Sequence, residues 1–568
     1  MDHPKVRFPG RMPRTQLLAA GTRKERGARV LPCDIIWEVD VEIRLRDGTA
    51  IVADIFRPRG AASGTLPALL GWSPYGKQEG TDLLDDYPFR AGVARREVSG
   101  YQKWEGPDPA YWCARGYAIV NPEARGAYGC EGNIVAWGPQ EAADGHDVVE
   151  WIAAQPWCSG KVGMTGNSWL AISQWFIAAT RPAHLAAIAP WEGFTDLYGH
   201  HLAIGGVPDA GFSRYIFELL PGNGQVEDIA GMIERYPLMN NYWKTKSARV
   251  EDIQIPTYVV ASWTNFVHTP GTFAGWNRVG SLQKWLRVHD SMEWVDYYRH
   301  EDDLCRFFDH FLKGAENGWE TTAPVRLAIV DPGRAGTRQV STSTYPPAGC
   351  VEQKLFLDAR NFLIGGSPPA AGGSANYAAG DGKSSLKFRY TFGRPYDLLG
   401  PAHLRLYVSS TAPDTDVFVK ARPLDSRATL RWLRTIPLKG LLPRLLSRCL
   451  LWSGKVQSGF LFYDGMRGRM RASRRGSFHP QSVDASTPSN GQVQLLSPGQ
   501  VVCLQIELTP LGMHFRPGDM LEVEVAGHTL SPWPLPGVAK PDSVNQGVVT
   551  VHTGGEYPSC LTLALSTA

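Results

Sequence analysis

The stretch Gly163-Met164-Thr165-Gly166-Asn167-Ser168-Trp169-Leu170-Ala171 sets a serine between an apolar run, Val162 to Thr165, and a strongly apolar helical segment. A serine at such a strand-to-helix reversal is forced into a strained backbone that lifts its hydroxyl above a sheet, the arrangement of a nucleophile elbow. Gly166 supplies one of the small residues the turn needs, whereas the second glycine usual two positions after the serine is Leu170 here, followed by Ala171. A bare Gly-x-Ser more often marks an ordinary helix N-cap, so the flanking strand and buried helix carry the assignment. Ser168 is therefore the candidate nucleophile for acyl carbonyls. The helix behind it aims its first amides, that of Trp169 among them, at a developing oxyanion.

Such a nucleophile needs a base, and in hydrolases of this build the chain order is serine, acid, histidine, the last two on loops after strands. Lys284 to Val288 is strand-like and empties into His289, the preferred base. His268, in Phe266 to Thr269, and His300, in Tyr298 to Glu301, are the competitors.

The elements that must position these groups follow from the hydrophobic pattern. Val39 to Arg57 alternates around Asp47-Gly48, which predicts a hairpin. Leu66 to Trp72, Tyr117 to Asn121, Val162 to Thr165, Leu185 to Ala189, Tyr258 to Ala261 and Trp285 to Val288 read as short buried strands. Helical spacing over Glu141 to Gln155, from Ser168 onward and over Glu301 to Lys313 alternates with them, which predicts βαβ units and a parallel sheet. Arg214 to Leu220 and Asp228 to Tyr236 read as helices of a cap. Beyond about Val340 only short alternating segments appear, among them Leu404 to Val408, Val417 to Ala421, Val501 to Leu508, Leu521 to Val525 and Val548 to His552, the pattern of an all-β sandwich. The expected division is a mobile N-terminal arm over 1–29, an α/β-hydrolase core over 30–192 and 251–340 interrupted by a helical cap over 193–250, and a β-sandwich over 341–568.

With 568 residues the chain exceeds one compact core. Its 58 basic and 55 acidic residues leave a charge of +3, against nucleic acid as the main partner. Nine cysteines without a C-x-x-C pair suggest reduced thiols and a cytoplasmic protein. The first residues lack an apolar signal region, and no run of about eighteen uncharged apolar residues predicts a membrane span. Without a dinucleotide fingerprint or P-loop the chemistry is expected to need no cofactor. Asp82, Asp85 and Asp86 lack the ligand pattern of a hard-cation loop, and adjacent His200 and His201 diverge on a helix, so no metal site is expected. Leu430 to Trp452, with Arg431, Arg434, Lys439, Arg444 and Arg448 among leucines, has the composition of an interfacial segment, though Pro437, Gly440 and Pro443 break any long helix. A packed insertion is preferred to a membrane or subunit contact, and a homo-oligomer is compatible with the sequence.

Several segments together resemble the CocE/NonD hydrolases, the family of cocaine esterase, X-Pro dipeptidyl aminopeptidases and α-amino-acid ester hydrolases. These are Val41 to Pro58, Ser73-Pro74-Tyr75-Gly76-Lys77, Glu123 to Gly132, Asp144 to Gly166, Arg306 to Gly314, Leu404 to Asp416 and Asn545 to Gly555. The resemblance implies an α/β-hydrolase domain with an inserted helical cap and a C-terminal jelly roll. It also implies that the Tyr75 hydroxyl joins the Trp169 amide in the oxyanion hole, and that the base lies near His289. At the position of the family's acid this sequence carries Asn265, which can accept from an imidazole N–H but cannot stabilise imidazolium; in a serine enzyme such a change can cost about 10⁴ in turnover. Either a neighbouring carboxylate such as Asp290, Glu293 or Asp296 substitutes, or Asn265 suffices for an activated substrate, or hydrolysis has been abandoned. The expected function is a serine hydrolase cleaving an ester or amide of a small apolar molecule through an acyl-enzyme. The alternatives are an acyltransferase or non-hydrolytic enzyme of specialised metabolism, and a silent ligand-binding protein.

Overall fold

The computed structural model of the chain describes residues 11–77, 83–220, 222, 224–332, 336–436, 462–477, 493–531, 538–541 and 543–567. Ten strands form the sheet that carries the site: β1 (Arg14–Leu18), β2 (Ile35–Arg44), β3 (Ala50–Pro58), β4 (Leu66–Leu70), β5 (Ala118–Pro122), β6 (Cys158–Asn167), β7 (Leu185–Trp191), β8 (Thr257–Ser262), β9 (Lys284–His289) and β10 (Val325–Asp331). Their order is β1-β2-β3-β5-β4-β6-β7-β8-β9-β10. From β5 to β10 every pairing is parallel, and β1 to β3 add an antiparallel edge. Strand order reverses at β4, whose neighbours are β5 and β6, so the crevice for a ligand opens at the carboxyl ends of β4 and β6. The loop bearing Tyr75 and the Ser168 turn leave the sheet there.

The alternating hairpin forms as its sequence dictates: Ile43 pairs with Ile51 around a turn in which Gly48 takes φ 86°. Helices α1 (Pro109–Cys113), α2 (Pro139–Ala153) and α3 (Trp169–Ala179) precede or follow the central strands. Residues Trp169 to Ala178 of α3 are all buried, as their uninterrupted apolar character requires. Helices α4 (Gly211–Glu218), α5 (Ile229–Arg235) and α6 (Asn241–Thr245) lie between β7 and β8. α7 (Thr269–Arg278), α8 (Glu293–Arg299) and α9 (Glu301–Lys313) complete the helical set, and α9 has its apolar face buried and ends at left-handed Gly314. None of the described helices is long and apolar enough to cross a membrane.

The carboxyl-terminal part is all β. Its long strands Tyr396–Ser410 and Val502–Phe515 pair antiparallel, flanked by Asp416–Leu424, Met520–Ala526, Val548–Thr553 and Cys560–Thr567. This part is welded to the first sheet. Gly336–Thr342 pairs antiparallel with β10, so the expected boundary at residue 340 falls inside a strand. Trp263, fully buried just past β8, donates its indole N–H to Ala328 O (2.6 Å) and packs against Gly512, where a Cβ would come within 2.6 Å of the indole.

One expectation is corrected. Residues 14–18 are not a mobile arm but strand β1, paired with β2, and Arg29 is tied by ion pairs to Asp108 (3.0 Å) and Glu301 (2.7 Å); the partners are distant in sequence, which local pattern does not reveal. Arg431, of the basic segment for which a packed insertion is preferred, is buried between Asp331 (2.7 Å) and Asp519 (2.9 Å), joining β10 to the β part. Residues 437–452 of that segment lie outside the described residues, as does Asp82.

The Trp263–Gly512 contact makes a prediction. Gly512→Ala should destabilise by about 1–3 kcal/mol through overpacking, read as a lower midpoint in chemical denaturation. An unchanged midpoint would show that the indole has room to move.

Candidate active site

β6 ends at Asn167, and Ser168 then takes φ 53° and ψ −118°, a conformation that a non-glycine residue holds only when its surroundings enforce it. Here the enforcement is visible. The Ser168 N–H lies between Trp191 O (3.3 Å) and Glu192 O (3.2 Å), and its carbonyl accepts from Ile172 N (2.9 Å) in α3. Gly166, at φ 134°, passes so close to Leu170 and to Glu105 O that a Cβ would sit 2.5 Å and 3.0 Å from them. The elbow thus needs its first glycine, while Leu170 occupies the space a second would leave.

The Ser168 hydroxyl has two side-chain partners. His268 Nε2 lies 3.1 Å from Oγ, and the Tyr75 hydroxyl shares a hydrogen bond with the same oxygen. Burial, with Glu105 nearby, pushes the Tyr75 pKa well above its ordinary value, so the phenol stays a donor. Burial also pushes His268 down to about 3, with His201 close by adding to the effect, so the imidazole is neutral. Its Nδ1 is buried and meets no hydrogen-bond partner. If Nε2 accepts from Ser168, the proton resides on that Nδ1, with no carboxylate behind it.

His289, the preferred base in the sequence, is not the histidine on the nucleophile. Its Nε2 lies 2.6 Å from Glu192 Oε1 and 3.5 Å from Asp296 Oδ2, and its Nδ1 faces the backbone N–H (3.3 Å) and hydroxyl (3.4 Å) of Ser291. Burial alone would lower its pKa, but Asp296 and Glu192 outweigh that and raise it. With Nε2 turned to Glu192 and Nδ1 accepting from the Ser291 N–H, neither ring nitrogen is directed at the serine. Asp296 is itself held ionised by Arg287, against burial, and also pairs with His300 Nδ1 (3.0 Å), which accounts for the third histidine.

Asn265 does not orient an imidazole either. Its Oδ1 accepts from the backbone N–H of Val267 (3.0 Å) and His268 (3.2 Å), and its Nδ2 donates to Glu293 Oε2 (2.6 Å). It shapes the turn that delivers His268. Of the carboxylates considered as substitutes, Asp296 reaches His289, Glu293 is bound to Asn265, and Asp290 contacts Thr337.

Three groups the sequence reading passed over complete the site. Glu192 ties Ser262 Oγ (2.9 Å) as well as His289, fixing the ends of β7, β8 and β9 together. Glu105 accepts from Trp294 Nε1 (2.9 Å), and burial, with Glu192 nearby, drives its pKa up to about 8, so it is a neutral acid at pH 7. Glu141, in the first turn of α2, gathers Trp72 Nε1 (2.9 Å), Trp169 Nε1 (2.8 Å), Ser173 Oγ (3.0 Å) and Trp137 N (2.5 Å). It therefore clamps the strand end before Tyr75 to the start of α3, spacing the two expected oxyanion donors. The signal for these residues was a carboxylate amid aromatic neighbours, as in Pro190-Trp191-Glu192-Gly193-Phe194.

The metal candidates dissolve into other roles. Asp85 pairs with Arg90 and Arg95, and buried His200 and His201 are kept neutral by burial, at about 3 and about 4. Among the described residues no group of three or more His, Cys, Asp or Glu is arranged for a metal ion.

Comparison with known proteins agrees with this architecture. Residues 47–226 match the X-Pro dipeptidyl-peptidase (S15 family), and residues 317–562 match the X-Pro dipeptidyl-peptidase C-terminal non-catalytic domain. A CocE/NonD family hydrolase from Staphylococcus aureus superposes with a TM-score of 0.85 at 28% identity, covering 99% of both chains. Cocaine esterase from Rhodococcus sp. is 33% identical over 28% of this chain and 24% of its own. An α-amino acid ester hydrolase shares the fold, with a TM-score of 0.66 at 17% identity over 94% of this chain and 97% of that one. The chain carries the S15-family domain and the X-Pro dipeptidyl-peptidase C-terminal domain, is similar to CocE/NonD hydrolases, and is a serine hydrolase.

Proposed function

We propose that the chain hydrolyses activated esters of small apolar acids through an acyl-enzyme on Ser168, with His268 rather than His289 as general base. The observation that carries this reading is a single oxygen: Ser168 Oγ, on a strained turn, within reach of both His268 Nε2 and the Tyr75 hydroxyl. Oγ adds to the ester carbon as its proton passes to His268 Nε2. The carbonyl oxygen, now negative, accepts from the Tyr75 hydroxyl and the Trp169 N–H, the latter a helix-start amide with no intrahelical acceptor. Collapse expels the alcohol, which takes the proton from His268. Water then repeats the sequence on the acyl-enzyme, yielding its proton to His268 and releasing the acid with Ser168 restored.

Esters are favoured over peptides on chemical grounds. The imidazolium formed at His268 has no carboxylate against Nδ1, so proton transfer is weakly driven. An amine leaving group depends on that proton more than an activated alkoxide does. The names of the relatives span both classes, cocaine esterase on one side and X-Pro dipeptidyl-peptidase on the other.

A fluorophosphonate probe should label the wild-type chain at one serine and fail on Ser168→Ala; labelling that survives the substitution would place the nucleophile elsewhere. With 4-nitrophenyl butyrate, His268→Ala should lower kcat by about 10²–10⁴, and Tyr75→Phe by about 10²–10³. Should His289→Ala, kept folded, abolish turnover while His268→Ala does not, the assignment of the base is wrong.

The pH profile gives a separate check. A base acts when neutral, and burial lowers the His268 pKa from 6.5 to about 3, so the protonated, inactive form appears only far into acid. The acid limb of kcat/KM, measured on folded protein, should therefore lie well below pH 6. A limb between pH 6 and 7 would point to a solvated histidine instead.

A further inference from the structure

Beside the site, a cavity of about 640 Å³ lies between the cap, α7 and the β part. Phe266 and Pro270, two residues before and two after His268, both line it, so its wall is continuous with the turn that carries the proposed base. Most of its lining is apolar or neutral, with Phe273, Tyr345 and Phe418 among the contributors.

One charged group stands apart there. Arg467, on the strand Met466–Arg471, stacks its guanidinium over the Phe266 ring at 4.4 Å. Its Nε and Nη2 are buried and have no hydrogen-bond partner. Asp464 pairs with Lys420 at 2.6 Å through Oδ2 and acts on Arg467 as its nearest opposing charge without a hydrogen bond, and Asp209 pairs with Arg469 at 2.7 Å. Glu507 is exposed to the same cavity, and desolvation raises its pKa above the ordinary glutamate value. A guanidinium stays charged under all ordinary conditions, and leaving its buried N–H groups unpaired is costly. The ring face holds the cation in place, and its unpaired N–H groups are of the kind that binds a carboxylate.

We infer that this cavity receives the part of the substrate remote from the scissile carbonyl, and that Arg467 selects substrates carrying a carboxylate on an apolar or aromatic body. The inference rests on the esterase reading above and names its substrate class. Phe266 supplies the apolar face, Arg467 the charge, and Glu507 a site for a hydrogen-bond donor.

The test compares 4-nitrophenyl hydrogen adipate with 4-nitrophenyl hexanoate, which differ at the far end in a carboxylate against a methyl group. Wild-type kcat/KM should favour the adipate monoester, and Arg467→Met should cut the ratio of the two values by about tenfold to a hundredfold, the worth of a charge-assisted hydrogen bond. Arg467→Lys should restore part of it. Equal ratios in wild type and Arg467→Met would overturn the inference and leave the esterase reading intact. If neither ester is cleaved, the esterase reading fails, and the cavity is judged separately by calorimetry with 3-phenylpropanoate on Ser168→Ala and on Ser168→Ala/Arg467→Met. Binding at least tenfold weaker in the second protein supports the role of Arg467; equal binding, or none in either, refutes it.

Discussion

A serine backbone held at φ 53° and ψ −118° is the constraint from which the rest of the site follows. That conformation costs on the order of 1–3 kcal/mol and persists only where packing over-determines it. The over-determination comes from four directions: the carbonyls after β7, the first turn of α3, the Glu105 carbonyl on Asn167 N (3.1 Å), and the void left by Gly166. Relaxation of any of them would let the hydroxyl swing from the two groups that share it.

The histidines show how environment rather than identity assigns a role. Both are buried, yet one is enclosed by rings and another histidine, which lowers its pKa, whereas the other sits beside two carboxylates, which raise it. The first has a ring nitrogen on the serine hydroxyl; the second spends both of its nitrogens on Glu192 and Ser291. Around them, buried Glu105 and Glu293 both have pKa values raised, which limits the negative charge that three neighbouring glutamates would otherwise pile beside the nucleophile.

The legible parts of this molecule were those written locally. Strand, elbow and buried helix are contiguous from Cys158 to Ala179, and the Asp47-Gly48 hairpin closes within twenty-odd residues, so both could be read from pattern and turn chemistry. What could not be read was decided across loops. Whether His268 or His289 meets Ser168 depends on how the loops after β8 and β9 pack and on Glu192, which engages His289 from far away in sequence. Strand β1 was missed because its five residues, mostly exposed, carry little hydrophobic signal and acquire their form from β2. Composition reports how basic the segment around Arg431 is, not which acids a hundred residues away will enclose that cation.

The seat of Trp263 on Gly512 bears on how such a protein can change. An indole that forms the floor of one loop also forms the roof of a strand in the other half, so neither half is a spare part. Exchanging the β portion for that of a relative would transplant the foundation under Asn265 and His268, and reactivity would follow the graft even though the nucleophile, the base and the oxyanion donors all came from the original chain.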